Sequence, residues 1–352
     1  MKISLEEEKR LLIKLFTNKG MSEEDAGILA TVVCHSDFCG VESHGMSRAL
    51  EYLWQMSAGG INTKANLTTV LDSGAVMAFD CENGSGVVSV CKAYDRIKER
   101  AREYGIAMAV GKKSANIGCG NYYASRAADE GLILIACSNT GLLMAPYGGA
   151  EPMLGSNPIF IGAPGGEEYG LGLDTSTTAC AWGKIVLARR AGKELEDNIA
   201  LDQDGAPTKD PNKVHSIQPF ASYKGYGFAV MVDLFSAILG GGGYGRNIGL
   251  DYKGEPDNTG WAMIVIDPSK FMPLDAFRQR SDDYVRMVKG CRKAPGFDEI
   301  LLPGEKERKT FETRMEAGFE INGALQNEVL ECARQAGLAD ADTTFEMLVN
   351  RE

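Results

Sequence analysis

The segment Glu42-Ser43-His44-Gly45-Met46-Ser47-Arg48 combines residue types suited to acid–base chemistry and to carboxylate binding. His44 lies in a polar turn before a predicted helix, and Arg48 follows one helical turn later, so both side chains can face one side. A histidine exchanges protons near neutral pH, and an arginine binds a carboxylate through two parallel hydrogen bonds. The alternative from spacing alone is a capping histidine beside a surface arginine.

Two further segments have residue types typical of an anion or ribose site. Asp174-Thr175-Ser176-Thr177-Thr178 follows the apolar run Gly170–Leu173, and a carboxylate with hydroxyls at the end of a strand suits ribose or phosphate contacts. Tyr223-Lys224-Gly225-Tyr226-Gly227 places a lysine before an apolar helix, whose N-terminus favours an anion. A plain helix N-cap and a solvated lysine are the respective alternatives.

The elements that must position these residues are helices near both termini and strands between them. Ser4 and Ser22 cap two amphipathic helices, and a third runs from about Met46 to Gly59. Residues 307–337 return to a charged, amphipathic helical pattern.

The central part of the chain repeats a helix, a glycine and a short apolar strand, as expected for buried strands of an α/β sheet. A helical pattern over 86–103 leads into Ile106–Val110, and one over 121–130 leads into Leu132–Cys137. Further strand candidates are Pro158–Gly162, Gly170–Leu173 and Trp261–Asp267.

No low-complexity linker divides the chain, which favours a helical layer from both termini around a central sheet. The expected parts are an N-terminal helical part over 1–65, a central α/β cofactor-binding domain over 66–306, and a C-terminal helical part over 307–352 that packs on the first.

Charge and composition exclude several classes of protein. The net charge of −11, without a basic run, argues against a nucleic-acid partner and requires a local Arg or Lys wherever an anionic substrate binds. No apolar stretch approaches the roughly 20 residues of a membrane span, and the acidic N-terminus is unlike a signal peptide. Nine scattered cysteines, never spaced as CxxC, predict reduced thiols and a cytoplasmic location.

The usual cofactor and metal motifs are missing. Gly118-Cys119-Gly120 is followed by Tyr123 instead of a third glycine, and we do not expect it to lie tightly between a strand and a helix. P-loop, HExxH and GxSxG motifs are absent, and three histidines are too few for a His-rich metal site, so no metal is expected.

Several short segments, taken together over the whole chain, resemble the malate/L-lactate dehydrogenase-like family, which also contains ureidoglycolate dehydrogenases and diketogulonate reductases. The matching segments are Ser43-His44-Gly45 with Arg48 and Tyr52, Gly59-Gly60-Ile61-Asn62, Pro146-Tyr147-Gly148-Gly149, Leu154-Gly155-Ser156-Asn157-Pro158, Asp174 with Thr177-Thr178, Ala181-Trp182-Gly183-Lys184, Lys224-Gly225-Tyr226-Gly227 and Leu302-Pro303-Gly304. The Trp-Gly-Lys and Lys-Gly-Tyr-Gly segments make the ureidoglycolate branch the expected nearest group.

The resemblance implies an NAD(P)-dependent oxidoreductase on a non-Rossmann α/β fold with a central mixed sheet, usually a homodimer with sites near the subunit interface. It implies that Ser43, His44, Arg48 and Tyr52 line the substrate pocket. The residues implied to hold the cofactor are Thr140, Asp174, Thr175, Ser176, Lys224, Gly304, Glu305 and Lys306. NAD is expected, with NADP as the alternative, because an aspartate on the ribose hydroxyls repels a 2′-phosphate.

One position departs from the family pattern. Where the family usually has a histidine that is often assigned as the catalytic base, this chain has Asn116, within Ser114-Ala115-Asn116-Ile117-Gly118. Asparagine forms hydrogen bonds but does not exchange a proton near pH 7. Either His44 does the acid–base work alone, or the substrate differs, or catalysis is weak; Lys112 and Lys113 are the nearest other bases.

We therefore expect hydride transfer between nicotinamide and C2 of a small anionic substrate, a 2-hydroxy or 2-oxo acid of the malate, lactate or ureidoglycolate type. Arg48 would bind its carboxylate, Asn116 would hydrogen-bond the C2 substituent, and His44 would exchange the proton with a pKa of ~6–7. One alternative is a reductase of cyclic imino acids, whose substrate has no oxygen to protonate. Another is a cofactor-binding protein with little catalysis.

Overall fold

The computed structural model describes residues 1–249 and 253–350, so the last two residues of the predicted C-terminal part, 351 and 352, lie outside it. The helices are α1 (Leu5–Asn18), α2 (Glu23–Phe38), α3 (Met46–Ala58), α4 (Gly86–Tyr104), α5 (Gly120–Asp129), α6 (Trp182–Ala191), α7 (Tyr223–Asp233), α8 (Leu274–Lys289), α9 (Glu305–Ala317), α10 (Gly323–Gln335) and α11 (Phe345–Asn350). The strands are β1 (Lys2–Ile3), β2 (Thr68–Ser73), β3 (Val76–Asp80), β4 (Ile106–Ser114), β5 (Ile133–Ser138), β6 (Ile159–Ala163), β7 (Leu171–Thr175), β8 (Ala200–Leu201), β9 (Pro207–Thr208), β10 (Ser216–Ile217), β11 (Thr259–Ile266) and β12 (Phe319–Glu320).

Seven strands form the central sheet in the order β2-β3-β4-β11-β5-β6-β7. The β3–β4 pair is parallel and the other neighbouring pairs are antiparallel, which confirms the predicted mixed sheet. Because β11 lies between β4 and β5 and runs against both, β3, β4, β5 and β7 point the same way. Their carboxyl ends therefore meet at one edge of the sheet.

Helices α4 and α5 cover one face of this sheet. Helix α4 begins after its cap Ser85 and ends at Gly105, which has the left-handed φ of 88° that suits glycine. Trp261 of β11 is 1 % exposed under this layer and donates to the Ser89 hydroxyl of α4 over 3.2 Å. Its ring lies where a side chain at Gly111 would have to be, so the sheet needs a glycine there.

Both ends of the chain build the remaining helical layer, as predicted. Ser4 caps α1 in a reciprocal box with Glu7, and Ser22 caps α2. The N-terminal helices contact the C-terminal ones in three pairs, α1 with α11, α2 with α9 and α3 with α10, and β1 pairs with β12. The boundaries at 65 and 306 stay predictions.

Several elements were not expected from the sequence. The β2–β3 hairpin, the small sheet of β8, β9 and β10, and helices α6 and α8 have no counterpart in the prediction. The expected helical stretch over 307–337 is also two helices, because Gly318 at φ 78° and the strand β12 interrupt it.

Candidate functional site

The predicted site residues gather where the parallel-running strands end. Asn116 follows the end of β4, Thr140 follows the end of β5, and Ser176 comes directly after β7. Strand neighbours are about 4.8 Å apart, so these three positions are spread along one edge of the sheet. After the roles that the sequence predicts, we name the part of this edge at β4 the substrate side and the part at β5 to β7 the cofactor side.

His44 occupies a 3₁₀ turn over Glu42–His44, directly before α3, as predicted. Its Nδ1 atom lies 3.0 Å from the Ser43 hydroxyl, which leaves Nε2 for a ligand. Burial, and then the positive charge of Arg48, lower the pKa of His44 to about 4. The expected pKa of ~6–7 is therefore wrong, and the imidazole is neutral at pH 7.

Arg48 lies in the first turn of α3, and only part of its guanidinium group is engaged in contacts with the rest of the chain. Its Nη1 atom forms an ion pair with Glu51, one turn further along the helix. Its Nε atom is buried and has no hydrogen-bond partner in the described part of the chain. A buried donor without an acceptor costs free energy, and a ligand carboxylate on the Nε edge would remove that cost.

Asn116 is held in one orientation by two donors. The Tyr52 hydroxyl donates to Asn116 Oδ1 over 2.7 Å, and the Gly118 amide donates to the same oxygen over 2.9 Å. Because a backbone N–H can only donate, the atom that it meets must be the amide oxygen. The Nδ2 group then has no acceptor among residues 1–249 and 253–350, and it is free to donate to a ligand.

Lys112 and Lys113 both direct their ammonium groups toward the carboxylate of Asp80. Lys113 Nζ lies 2.8 Å from Asp80 Oδ2, and Lys112 Nζ lies 3.9 Å from the same atom. The hydrogen bond to Asp80 raises the pKa of Lys113, so that lysine stays charged and is a poor base.

Hydroxyl groups join the loops on the cofactor side. Thr140 Oγ1 accepts from the Ser156 amide over 2.9 Å and lies 3.2 Å from the Ser156 hydroxyl. The Thr177 amide and hydroxyl both donate to the Ser156 carbonyl over 2.8 Å. Thr140 and the segment that contains Thr175 and Ser176 are thus held together, and their contact with a cofactor stays a prediction.

Lys224 is brought to the same place by α7. The Phe220 amide donates to the Thr177 carbonyl, and a side chain at Gly225 would collide with the Phe220 carbonyl, so this helix start packs closely on the 174–178 segment. The Ser222 side chain does not cap α7, and Lys224 is exposed in its first turn. An uncapped helix N-terminus with a lysine suits a phosphate group.

Asp174 lies within β7, and its carboxylate is held by the start of α5. Its Oδ2 atom accepts from the Asn121 amide over 2.9 Å, so the N-cap alternative applies, though to a helix that precedes it in sequence. Gly118-Cys119-Gly120 forms the turn between β4 and α5, which corrects the expectation that it would not connect a strand and a helix. This turn offers its amides to a carboxylate of the chain itself.

The sequence profile of the malate/L-lactate dehydrogenase family matches residues 3–330. The chain belongs to this family. It is accordingly an NAD(P)-dependent oxidoreductase, as the sequence predicted.

Individual members of the family agree with this assignment. The L-sulfolactate dehydrogenase of Methanocaldococcus jannaschii is 36 % identical over 340 residues, 95 % of this chain and 96 % of that protein. A solved structure of sulfolactate dehydrogenase from the same organism superposes with a TM-score of 0.90 at 35 % identity, covering 98 % of this chain and 99 % of the other. Δ1-Piperideine-2-carboxylate reductase from Pseudomonas syringae superposes with a TM-score of 0.86 at 28 % identity, covering 95 % and 100 %.

The expected nearest branch needs correction. Ureidoglycolate dehydrogenase of Escherichia coli K12 is 32 % identical over 315 residues, 88 % of this chain and 90 % of that protein. The sulfolactate dehydrogenase is therefore more similar to this chain, and short segments such as Trp182-Gly183-Lys184 did not distinguish the two branches.

The last predicted cofactor residues of this family member lie beside β7. The Gly172 amide donates to the Pro303 carbonyl over 2.9 Å, and Gly304 has a left-handed φ of 88° next to Gly172. Glu305 is 4 % exposed and binds Lys289 over 2.5 Å and Lys309 over 2.9 Å. Its carboxylate already has partners within the chain. Lys306 is exposed.

Sequence reasoning missed two carboxylates of the site. Glu51 pairs with Arg48, and Asp257 accepts from the Asn116 amide over 3.0 Å. The spacing of Glu51 from Arg48 is the signal of a helical ion pair and could have been read. Nothing local indicates Asp257, which lies 141 residues from its partner.

Among residues 1–249 and 253–350, none of the helices has the length and apolar character of a membrane span.

Proposed function

We propose that the protein interconverts a short 2-oxo acid and the matching 2-hydroxy acid, with NAD as the cofactor. The substrate binds on the substrate side of the sheet edge, between α3 and the loop after β4. The cofactor binds along the cofactor side. The names of the relatives support substrates of the sulfolactate or malate type, which carry a second acid group.

The residues on the cofactor side fit a dinucleotide. Lys224 and the uncapped start of α7 supply positive charge for phosphates, and Thr140 and Ser176 supply hydroxyls near the strand ends. When bound, the nicotinamide ring supplies or accepts the hydride. NAD stays the proposed cofactor, with NADP as the alternative that the substrate panel compares; the carboxylate of Asp174 does not decide between them, because it caps the start of α5.

On the substrate side, Arg48 would bind the C1 carboxylate through its Nε edge while Glu51 keeps Nη1 in place. Neutral His44 would accept the hydroxyl proton at Nε2 during oxidation and return it during reduction. The bound carboxylate also neutralises Arg48, so the pKa of His44 rises in the substrate complex and favours its role as an acid.

The observation that carries the proposal is the orientation of Asn116. Its Nδ2 group donates toward the ligand, because Tyr52 and Gly118 occupy its oxygen. A carbonyl or alkoxide oxygen at C2 accepts such a hydrogen bond. A protonated imine presents an N–H at that place and would oppose another donor, so the amide favours 2-oxo acids over cyclic imines.

Steady-state turnover with a substrate panel tests this function. The panel contains the 2-oxo acids that correspond to malate, sulfolactate and lactate, and Δ1-piperideine-2-carboxylate, each with NADH and with NADPH. We expect turnover of an oxo acid with NADH at the highest kcat/KM. A higher kcat/KM for the imine contradicts the role of Asn116, and NADH binding without any turnover supports a protein that only binds the cofactor.

We also propose that the protein is a homodimer. Helix α7 and the π-helical turn after it expose apolar side chains on one stripe, each at least 41 % exposed: Phe228, Met231, Leu234, Phe235, Ile238 and Leu239. On the sheet face away from α5, Ile135, Ile161 and Leu173 form an exposed row of register partners. A second copy would remove both surfaces from water.

Light scattering with size-exclusion chromatography tests the dimer. We expect the wild type to have twice the chain mass and Phe235→Glu to shift it toward the monomer. Tyr284→Glu, at an exposed aromatic on α8, is the matched control and should leave the mass unchanged. A wild-type protein that is monomeric at micromolar concentration contradicts the proposal.

A cytoplasmic location is proposed from the thiols. All nine cysteines are free, and five of them are buried. Reduced thiols persist in the reducing cytoplasm and tend to oxidise outside it. Cell fractionation with an antibody against the protein tests the location, and recovery outside the cytoplasmic fraction contradicts it.

A further inference from the structure

A buried carboxylate, that of Asp37, packs against the residues that directly follow His44. Asp37, at the end of α2, is 1 % exposed, and its Oδ2 atom accepts from the Met46 amide over 2.6 Å. Met46 is the first residue of α3, so this carboxylate caps the helix that also carries Arg48. A side chain at Gly45 would overlap the carboxylate of Asp37, which explains the glycine that follows His44.

Arg314 connects the same turn to the C-terminal helix α9 through hydrogen bonds. From α9, its Nη1 atom donates to the Asp37 carbonyl, and its Nη2 atom lies 2.7 Å from Glu42 Oε1. Glu42 begins the 3₁₀ turn that ends at His44. The turn is therefore held from two sides, by the carboxylate of Asp37 and by the guanidinium of Arg314.

A second buried carboxyl group, that of Glu8 in α1, lies beside Asp37. Glu8 is 0 % exposed, its oxygens meet no N–H or O–H donor in the described part of the chain, and its carboxyl group lies within hydrogen-bonding reach of that of Asp37. Burial and the charge of Asp37 raise the pKa of Glu8 well above its usual value. Burial also raises the pKa of Asp37, to about 6, although the hydrogen bonds with Glu8 and from Met46 oppose this shift.

We propose that Asp37 and Glu8 form a carboxyl pair with one shared proton that positions the His44 turn, Asp37 as the anion on the start of α3 and Glu8 as the neutral acid. Two close buried carboxyls do not both ionise, because neither solvent nor a full counter-charge offsets their repulsion. The amide of Met46 and the positive end of α3 favour the charge on Asp37.

Three further charged or titratable side chains from neighbouring elements face the pair. Arg314 on α9 favours the anion, while Glu42 on the turn and Cys34 on α2 do not. The inference rests on the proposed role of His44, and Asp37 is a positioning residue that touches neither substrate nor cofactor.

The first test is Asp37→Asn, whose amide can still fill the space but carries no charge. We expect kcat to fall about tenfold or more with an unchanged KM for NADH, because a displaced turn moves the proton-transfer group. The pKa of His44, followed by histidine NMR, should rise toward the ordinary ~6.5 as the loosened imidazole gains solvent. His44→Ala assigns its signal among three histidines.

The matched control is Asp282→Asn, a buried carboxylate that accepts from backbone amides in another loop. It should leave kcat and the pKa of His44 unchanged. The positioning role is overturned when folded Asp37→Asn keeps both values, or when Asp282→Asn changes them equally. NMR needs no substrate, so a shifted His44 pKa without turnover of any acid contradicts only the proposed function.

Glu8→Gln tests the shared proton without disturbing the anion, and it stays informative when Asp37→Asn does not fold. In the wild type, unfolding releases the proton of Glu8 above pH ~4.5, so stability falls as pH rises from there through the raised pKa. Gln has no such proton, and the Tm of Glu8→Gln minus that of the wild type should grow between pH 5 and 8. A Tm difference that stays constant over this range overturns the shared proton.

Discussion

The two sides of the sheet edge use their polar groups in opposite ways. On the substrate side, Arg48 Nε and Asn116 Nδ2 have no partner among the described residues, although neighbours fix both side chains. On the cofactor side, the hydroxyls of Thr140 and Thr177 and the Ser156 backbone bond to one another. The first region leaves two donors without an acceptor, whereas in the second region the hydroxyls already bond within the chain, and only Lys224 and the uncapped start of α7 are left for a ligand.

This difference sets the expected size of mutational effects. Donors that only a substrate satisfies should each carry a large part of the rate, because no neighbour replaces them. A cofactor that lies along several hydroxyls, one lysine and a helix start should lose less with each single change. We therefore expect the effects of single substitutions to decrease from the substrate side to the cofactor side.

His44→Ala should have the largest effect. Loss of the proton-transfer group should lower kcat/KM by about 10²–10⁴-fold in both directions, measured by steady-state kinetics. His215→Ala, at an exposed histidine, is the control and should behave as the wild type. A His44→Ala enzyme with near wild-type rates would remove His44 from the chemistry.

Arg48→Lys should lower kcat/KM about a hundredfold, because an ammonium group cannot replace the two-pronged hydrogen bond of a guanidinium. Arg102→Lys offers the matched control, since Arg102 also pairs with a glutamate three residues away on a helix surface. The comparison uses steady-state kinetics with the best oxo acid of the panel. Equal kinetics of the two variants would show that Arg48 is structural.

Asn116→His should lower turnover of the native substrate about thirtyfold. An imidazole at this position cannot accept from both Tyr52 and Gly118, and one unsatisfied buried donor costs about 2 kcal/mol. The same change supplies the base that the family usually has, so relative activity toward malate or lactate should rise. A variant that gains activity on every substrate contradicts a specialised role for the amide.

Lys224→Ala should have the smallest effect of these changes, a loss of NADH affinity of at least about tenfold, or ~1.4 kcal/mol. Calorimetric titration measures it, with Lys213→Ala at another exposed lysine as the control. Unchanged affinity in the folded variant would place the cofactor elsewhere.

Local patterns predicted the elements whose signals are local. The caps at Ser4 and Ser22 and the glycine stop at Gly105 gave correct helix ends, since capping depends on residues a few positions apart. The β2–β3 hairpin was missed because its first strand is exposed on both faces and has no apolar alternation.

The candidate site was predictable only in part. His44 and Arg48 follow from residue type and helical spacing. The contact of Tyr52 with Asn116 joins residues 64 apart, and the Asp37–Met46 bond depends on how α2 meets α3. The pKa of His44 was mispredicted for the same reason, because burial is a property of the tertiary structure.

The pH dependence of kcat/KM for oxidation of the 2-hydroxy acid tests the central claim most directly. The account requires one neutral histidine, so kcat/KM should rise with pH through a single limb at about 4 and then stay level through pH 7. In the pH dependence of kcat, this limb should lie at higher pH, because the bound carboxylate neutralises the charge of Arg48 and so raises the pKa of His44. The His44→Ala enzyme should lack the limb. A limb that lies at pH 6–7 in kcat/KM, or that persists in His44→Ala, would contradict the account.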